Sequence, residues 1–371
     1  MLHRTLTLCP VVVILFLLPR ADGGLIFNFT DGIELAALQG TNLPQYNNVR
    51  NGFQEAADLF SNQFSDDVTL NVEINFKSAG FGGTTLGSTL NVTAGASYSG
   101  VRTALVNDAT TTVDSLATAN LQTTAGIDFI SRTNDAAARS NLTDAWSQVL
   151  DVSRSNLKAL GLISGTDGAA GSEGTIQFNS AFGWDFDRSN GISGSLFDFV
   201  GVAAHEIGHL MGFTSGVDIV DGYGNSTAPI DELSQYRVFN TLDLFRYSST
   251  SLSESGQPGT GAVLDLNYAG TPYFSLDAGI TNLATFSTGA ENGDGRQASH
   301  WKDNLGLGLL DPTFASGELG VITSLDITAF DAIGWDAANS AAVPEPSSFA
   351  LLGMGTIGLI GYRRRKHRQA V

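Results

Sequence analysis

His205-Glu206-Ile207-Gly208-His209 lies between Val200-Gly201-Val202-Ala203-Ala204 and Leu210-Met211-Gly212-Phe213. Residues four apart project from one face of a helix, so a helix over about Ser195 to Phe213 aims both imidazoles at one point. Glu206, one residue on, stays close enough in angle to reach a water held there. The flanking residues are apolar or small, which predicts a buried helix, and two buried imidazoles with a carboxylate need a partner. A metal ion is the partner this pattern suits, with His205 and His209 as ligands and Glu206 beside them. Of the five histidines, His3 and His367 lie in terminal segments. Only His300 is left to complete a set of three.

The N-terminus has Arg4, an apolar run from Val11 to Leu18 and then Pro19-Arg20-Ala21-Asp22-Gly23. A charged start, short apolar stretch and small-residue exit read as a secretory signal peptide over residues 1–22. Cys9 is the sole cysteine and falls inside it. The mature chain is therefore expected to have no disulfide, thiolate nucleophile or cysteine ligand. The C-terminus combines Val343-Pro344-Glu345-Pro346, an apolar run from Phe349 to Tyr362 and the cluster Arg363-Arg364-Arg365-Lys366-His367-Arg368. This order over residues 341–371 resembles the PEP-CTERM sorting tail of Gram-negative bacteria. The resemblance implies an exosortase-type sorting enzyme as partner and membrane association through the tail, at least transiently. It places the bulk of the chain outside the cytoplasm, on the cell surface or in the extracellular matrix. A plain membrane anchor is the alternative; the apolar run is short beside the ~20 residues of a full span.

The whole chain carries 19 Lys and Arg against 37 Asp and Glu, a net charge of −18. Its basic residues are concentrated at the two ends, so the remainder is more acidic still. That balance excludes nucleic-acid binding, which requires a basic footprint. The 43 glycines predict long loops.

Between the ends the pattern predicts an α+β fold. Val49 to Phe64 has helical periodicity, and Val68, Leu70, Val72, Ile74 and Phe76 alternate as in a half-buried strand. Tyr98 to Asn107 reads as a helix, Ile127 to Ile130 as a short strand, Leu142 to Leu160 as a helix and Thr175 to Asn179 as a strand. Residues 23–213 thus form a helix-and-strand subdomain with a mixed sheet, ending in the His205–His209 helix. Residues 214–340 form a loop-rich subdomain with few helical runs before Ile322 to Ile333, and the cleft is expected between the two. Asp221-Gly222-Tyr223-Gly224-Asn225 and Glu291-Asn292-Gly293-Asp294-Gly295 offer oxygen ligands on tight turns, as calcium sites do. Neither has the twelve-residue EF-hand spacing, and ordinary Gly-Asp loop chemistry is the alternative. Asp185-Phe186-Asp187 has the same two readings.

The third ligand separates families. His205-Glu206-x-x-His209-x-x-Gly212 resembles the metzincin zinc metalloproteases, whose glycine lets the chain turn sharply after the helix. Their usual third histidine follows three residues later, where this chain has Ser215. Acidic candidates nearby are Asp218, Asp221, Asp231 and Glu232. Ser299-His300-Trp301-Lys302, then Leu309-Leu310-Asp311-Pro312, then Ile322 to Trp335, follow the order of the leishmanolysin branch. There a long insertion precedes a His-Trp pair, a turn and a final helix. The resemblance covers roughly Phe199 to Trp335.

It implies zinc held by His205, His209 and His300, with Glu206 as general base in a secreted or surface-sorted endopeptidase acting on protein or peptide substrates. It also implies that Thr175, Ile176, Gln177, Phe178 and Asn179 form the exposed edge strand along which substrate pairs. One departure stands out: metzincins place a Met beneath the metal where this chain has Leu310. The swap roughly keeps volume, so activity is expected to survive it. The missing cysteine excludes latency through a pro-segment thiol. Two alternatives share the metal set: a non-catalytic zinc-containing matrix or surface protein, and a zinc hydrolase acting on another amide, such as a cell-wall crosslink.

Overall fold

The alternation Leu70, Val72, Ile74, Phe76 builds one strand, Thr69–Lys77, whose apolar side chains are all buried. In the computed structural model, residues 24–338 are described apart from 134–135, 170, 225–232 and 255–260. The elements run β1 (Ile26–Asp31), α1 (Ile33–Thr41), α2 (Leu43–Ser61), β2 (Thr69–Lys77), β3 (Gly87–Asn91), β4 (Thr93–Ser97), α3 (Tyr98–Asp108) and α4 (Thr112–Ala119). There follow β5 (Phe129–Thr133), β6 (Ala136–Arg139), α5 (Ala145–Gln148), β7 (Val149–Ser153), α6 (Arg154–Ala159), β8 (Gly174–Asn179), α7 (Phe199–Leu210) and α8 (Val217–Tyr223). After α8, among the described residues, only short helical turns and two-residue strands occur until the helix Ser324–Ala332. The proposed signal peptide, the C-terminal tail, Asn225, Asp231 and Glu232 lie outside the described residues. Among the described residues no helix is long and apolar enough to cross a membrane.

The main sheet has the order β1-β2-β8-β3. β1, β2 and β8 are parallel, with Ile26 opposite Thr69 and Val72 opposite Gly174, while β3 returns antiparallel to β8 with Thr89 opposite Ile176. The segment Thr175–Asn179, expected at the exposed edge, is therefore interior. Both sides of β8 are paired because the short, small-residue strand Gly87–Asn91 comes back along it and takes the edge.

Helix α2 starts at Asn42, whose side chain accepts from the Gln45 N–H, with Pro44 in the first turn. Its buried stripe of Val49, Phe53, Ala56, Ala57 and Phe60 packs on α7, where the Phe53 and Phe199 rings meet edge to face at 5.4 Å. Each large apolar side chain buried there is worth about 1.5–3 kcal/mol. Gly52 makes the contact possible, because a Cβ at that position would run into the Phe199 ring. The core continues into the second half: Phe330 packs edge to face on Phe60 and Phe64 at 5.6 and 5.8 Å.

The expected helix from Leu142 to Leu160 is three elements instead. A single turn (α5) leads into β7, which pairs antiparallel with β4, and α6 follows. Val149 and Val152 favour strand, and Ser153 caps α6 by accepting from the Asn156 N–H.

Candidate metal centre

Helix α7 begins at Phe199, with Asp198 as its N-cap, later than the sequence pattern suggests, because Phe197–Asp198 pairs with Trp184–Asp185 as a short strand. Phe199, Val200, Ala203, Ala204, Ile207 and Leu210 are fully buried, so the helix is fixed on all sides but one. That side carries His205, Glu206 and His209. The helix ends at Gly212, whose φ of +111° suits glycine. The turn brings the Phe213 carbonyl back onto His209 Nδ1 at 2.8 Å.

His300 arrives from 91 positions beyond His209. The three Nε2 atoms form a nearly equilateral triangle: 3.1 Å between His205 and His209, 3.1 Å between His209 and His300, and 3.2 Å between His300 and His205. Each Nδ1 faces a backbone carbonyl: Leu309 O at 2.9 Å from His205, Phe213 O at 2.8 Å from His209 and Gln297 O at 3.2 Å from His300. A carbonyl can only accept, so each Nδ1 donates and each Nε2 keeps a free lone pair. Burial pushes His205 down to about 4 and His209 to about 3, and holds His300 well below its usual value. Three imidazoles thus turn their Nε2 atoms toward one point, an arrangement able to hold a metal ion. Nitrogens about 2.0–2.1 Å from one zinc in tetrahedral array lie about 3.3 Å apart, and the observed triangle fits that spacing. Among the described residues it is the only group of three or more His, Cys, Asp or Glu ligand atoms brought so close.

Glu206 is buried at 6% exposure, and burial raises its pKa to about 7. Its Oε2 accepts from Thr89 Oγ1 at 2.7 Å, and the same hydroxyl lies 2.9 Å from the Glu206 carbonyl. Thr89 sits on β3, so the true edge strand touches the candidate base. The cleft, about 840 Å³, is walled by β3 and α7 on one side and by Arg296, Gln297, His300 and Pro312–Phe314 on the other. Thr175, Ile176, Gln177, Phe178 and Asn179 do not line it. Ile176 and Phe178 are fully buried, and it is β3, not β8, that lines the cleft.

The downstream stretches meet at the same place. Trp301 N–H donates to Leu310 O at 2.9 Å, and Leu309 O orients His205. Asp326, in the capping box of Ser324–Ala332, accepts from Trp301 Nε1 at 2.9 Å and from Leu309 N–H at 2.8 Å. Leu310 is fully buried, with its methyl groups against Gly208 in the turn between the two helix histidines.

The acidic alternatives to His300 have other partners. Asp218 receives Ala298 N–H at 2.5 Å together with the backbone and hydroxyl of Ser299. Asp221 accepts from the backbone N–H of Glu291 and Asn292, both at 2.7 Å. Asp294 accepts from Thr288 N–H, Arg296 N–H and Lys302 Nζ. The two loops read as calcium candidates are joined to each other by these Asp221 hydrogen bonds. Asp185 likewise accepts from Asp187 and Ser193 N–H, which is turn chemistry.

Sequence periodicity did not point to Thr89 or to β3. The stretch Gly87-Ser88-Thr89-Leu90-Asn91 is short and nearly without apolar residues, and its one signal is the glycine-rich approach from Gly80.

Residues 342–366 match the PEP-CTERM protein-sorting motif. No curated protein and no solved structure matches the chain. The motif marks the chain for export and C-terminal sorting to the cell surface, as in Gram-negative bacteria, with an exosortase-type enzyme as the implied partner.

Proposed function

We propose that this chain is a zinc-dependent endopeptidase of metzincin-like α+β fold, similar to the leishmanolysin branch, working outside the cytoplasm. The observation that carries the reading is the triangle of three unprotonated Nε2 atoms in a cleft with Glu206 beside it. His205, His209 and His300 would hold the ion. Zinc so held would supply Lewis acidity and lower the pKa of a water beside it. Glu206, beside the site that His205, His209 and His300 would form, is placed to take a proton from a water in the cleft. It then returns the proton to the departing amine. Thr89 holds the carboxylate by one oxygen and leaves the other free.

β3 offers an extended peptide a row of backbone groups along its outer edge, where register and affinity come from main-chain hydrogen bonds. Leu310 in place of the turn Met fills the space under α7. A site that kept zinc for structure alone would have no use for a buried carboxylate in an open cleft, which favours the catalytic reading over the matrix-protein one.

The test is direct. The purified protein should bind about one zinc and cleave unfolded protein substrates. Glu206→Gln should keep its zinc and lose cleavage by on the order of 10²–10⁴-fold, the usual contribution of a general base. A Glu206→Gln variant as active as wild type would sink the mechanism.

A further inference from the structure

A third ligand so far from the first two must be brought back with ångström accuracy. The chain leaves the metal centre at Ser215 and returns at Ser299, and these two serines touch. Ser215 N–H donates to Ser299 Oγ at 2.9 Å. Ser299 donates both its N–H, at 3.2 Å, and its hydroxyl to Asp218 Oδ2, while Asp218 Oδ1 accepts from Ala298 N–H at 2.5 Å. The departing side is pinned in turn. Asp243 accepts from Ser215 Oγ at 2.5 Å and from Gly216 and Asn240 N–H, both at 2.8 Å. Ser215, Asp243 and Ser299 are all buried.

A second brace acts from below. Arg246 Nη2 donates to Ser287 O at 2.9 Å, and Ser287 N–H donates to His300 O at 3.0 Å. The Arg246 guanidinium is buried, with Nε and Nη1 unbonded, and lies over the Phe286 ring at 5.0 Å.

We propose that Asp218 is the positioning residue of the third metal ligand. Through Ala298 and Ser299 it fixes the two residues preceding His300, and with Ser215 and Asp243 it clasps the ends of the insertion together. Asp218 thus serves the metal without touching it. The residue that sequence offers as a substitute ligand sets the geometry of the real one. The proposal rests on the metal-centre reading of His300 and does not depend on peptidase activity.

The experiment uses the full chain and its Asp218→Ala, Asp218→Asn, Ser299→Ala and His300→Ala variants. Zinc affinity is read by competition with a chromophoric chelator, coordination by the visible spectrum of the cobalt-substituted protein, and folding by circular dichroism of the metal-free form. Outer partners of metal ligands usually matter 10–100-fold in affinity. Asp218→Ala and Ser299→Ala are expected to weaken zinc by that factor and to alter the cobalt spectrum, with the metal-free fold retained. Asp218→Asn, which keeps an acceptor for Ala298, should fall between them and wild type, and His300→Ala should lose the most. Wild-type affinity and an unchanged cobalt spectrum in Asp218→Ala, even with a lower melting temperature, overturn the proposal and leave Asp218 a merely structural residue. If Asp218→Ala does not fold, Ser299→Ala, which removes one hydroxyl, decides the matter by the same two readouts. A wild-type protein that binds no zinc overturns both this proposal and the metal centre. One that binds zinc and cleaves nothing overturns the peptidase reading alone.

Discussion

Thr89 and Glu206 are 117 positions apart, yet one hydroxyl joins the edge strand to the candidate base. A hydrogen bond to a charged group contributes about 1.5–3 kcal/mol. Where that bond serves to aim a carboxylate, its loss should fall on the chemical step. Thr89→Val, close in shape, is expected to lower kcat by about 10–100-fold, each 1.36 kcal/mol being tenfold, while KM and zinc content change little. Thr89→Ser, which keeps the hydroxyl, should recover most of the rate. Steady-state kinetics on one peptide substrate checks this, and equal kcat for Thr89→Val and wild type would remove Thr89 from the mechanism. Legibility at this scale followed locality. His205, Glu206 and His209 could be read because helix geometry relates residues four apart with no knowledge of the rest of the fold. His300 was singled out by elimination and by its Trp301 neighbour, and its imidazole does reach the other two. Thr89 could not be found because the contact is made across a sheet whose order periodicity does not determine.

Among the elements, two segments differ from the sequence expectation for one reason. Helical spacing across Leu142 to Leu160 arose by coincidence from a turn, a strand and a short helix in succession. Thr175–Asn179 is a strand, as the sequence predicts, but an interior one. In both cases a partner strand decided the outcome: β4 paired with β7, and β3 covered β8. Helix α7, by contrast, was legible because its apolar flanks and its terminal glycine are all local. That glycine connects element to site. With φ at +111°, Gly212 adopts a backbone that L residues rarely enter, and a Cβ there would lie 3.2 Å from the Asn156 Cβ. Gly212→Ala should therefore cost about 1–2 kcal/mol in backbone strain. Because the same turn places the Phe213 carbonyl on His209 Nδ1, the substitution should also weaken zinc, by about tenfold. Thermal melting of the metal-free form and zinc competition separate the two effects. A melting loss with unchanged zinc affinity would show that the turn serves the fold and not the ligand.

For the whole molecule, the acidic balance seen in composition becomes a specific feature of the core. Asp66, Asp108, Asp114 and Asp331 gather with Asp336 where the final helix meets α3 and α4. Thr111 Oγ1 donates to Asp331 at 2.6 Å, and Asp336 N–H donates to Asp66 at 3.0 Å. Burial, then the Asp336 and Asp108 charges, raise Asp66 to about 8. Burial, then the Asp336, Asp114 and Asp331 charges, raise Asp108 to about 7, and burial raises Asp331 to about 6. These carboxyls hold protons in the folded state that the unfolded chain, with carboxyls near 3.9, has already released. Folded protein thus binds more protons than unfolded between about pH 4 and pH 8, so this cluster makes stability fall as pH rises through that window. The buried histidines act the other way. Their lowered values mean that the unfolded chain binds more protons between about pH 3 and 6.5, so they lose stability as pH falls. A single melting curve therefore mixes the two, and the difference between variants separates them. Asp66→Asn keeps an oxygen for the Asp336 N–H and cannot ionise. Relative to wild type, both metal-free, its melting temperature should change little near pH 4 and rise progressively from there to pH 8, where wild-type Asp66 is about half ionised. A melting difference that stays flat across this range would mean that Asp66 ionises in the folded protein as it does in the unfolded chain.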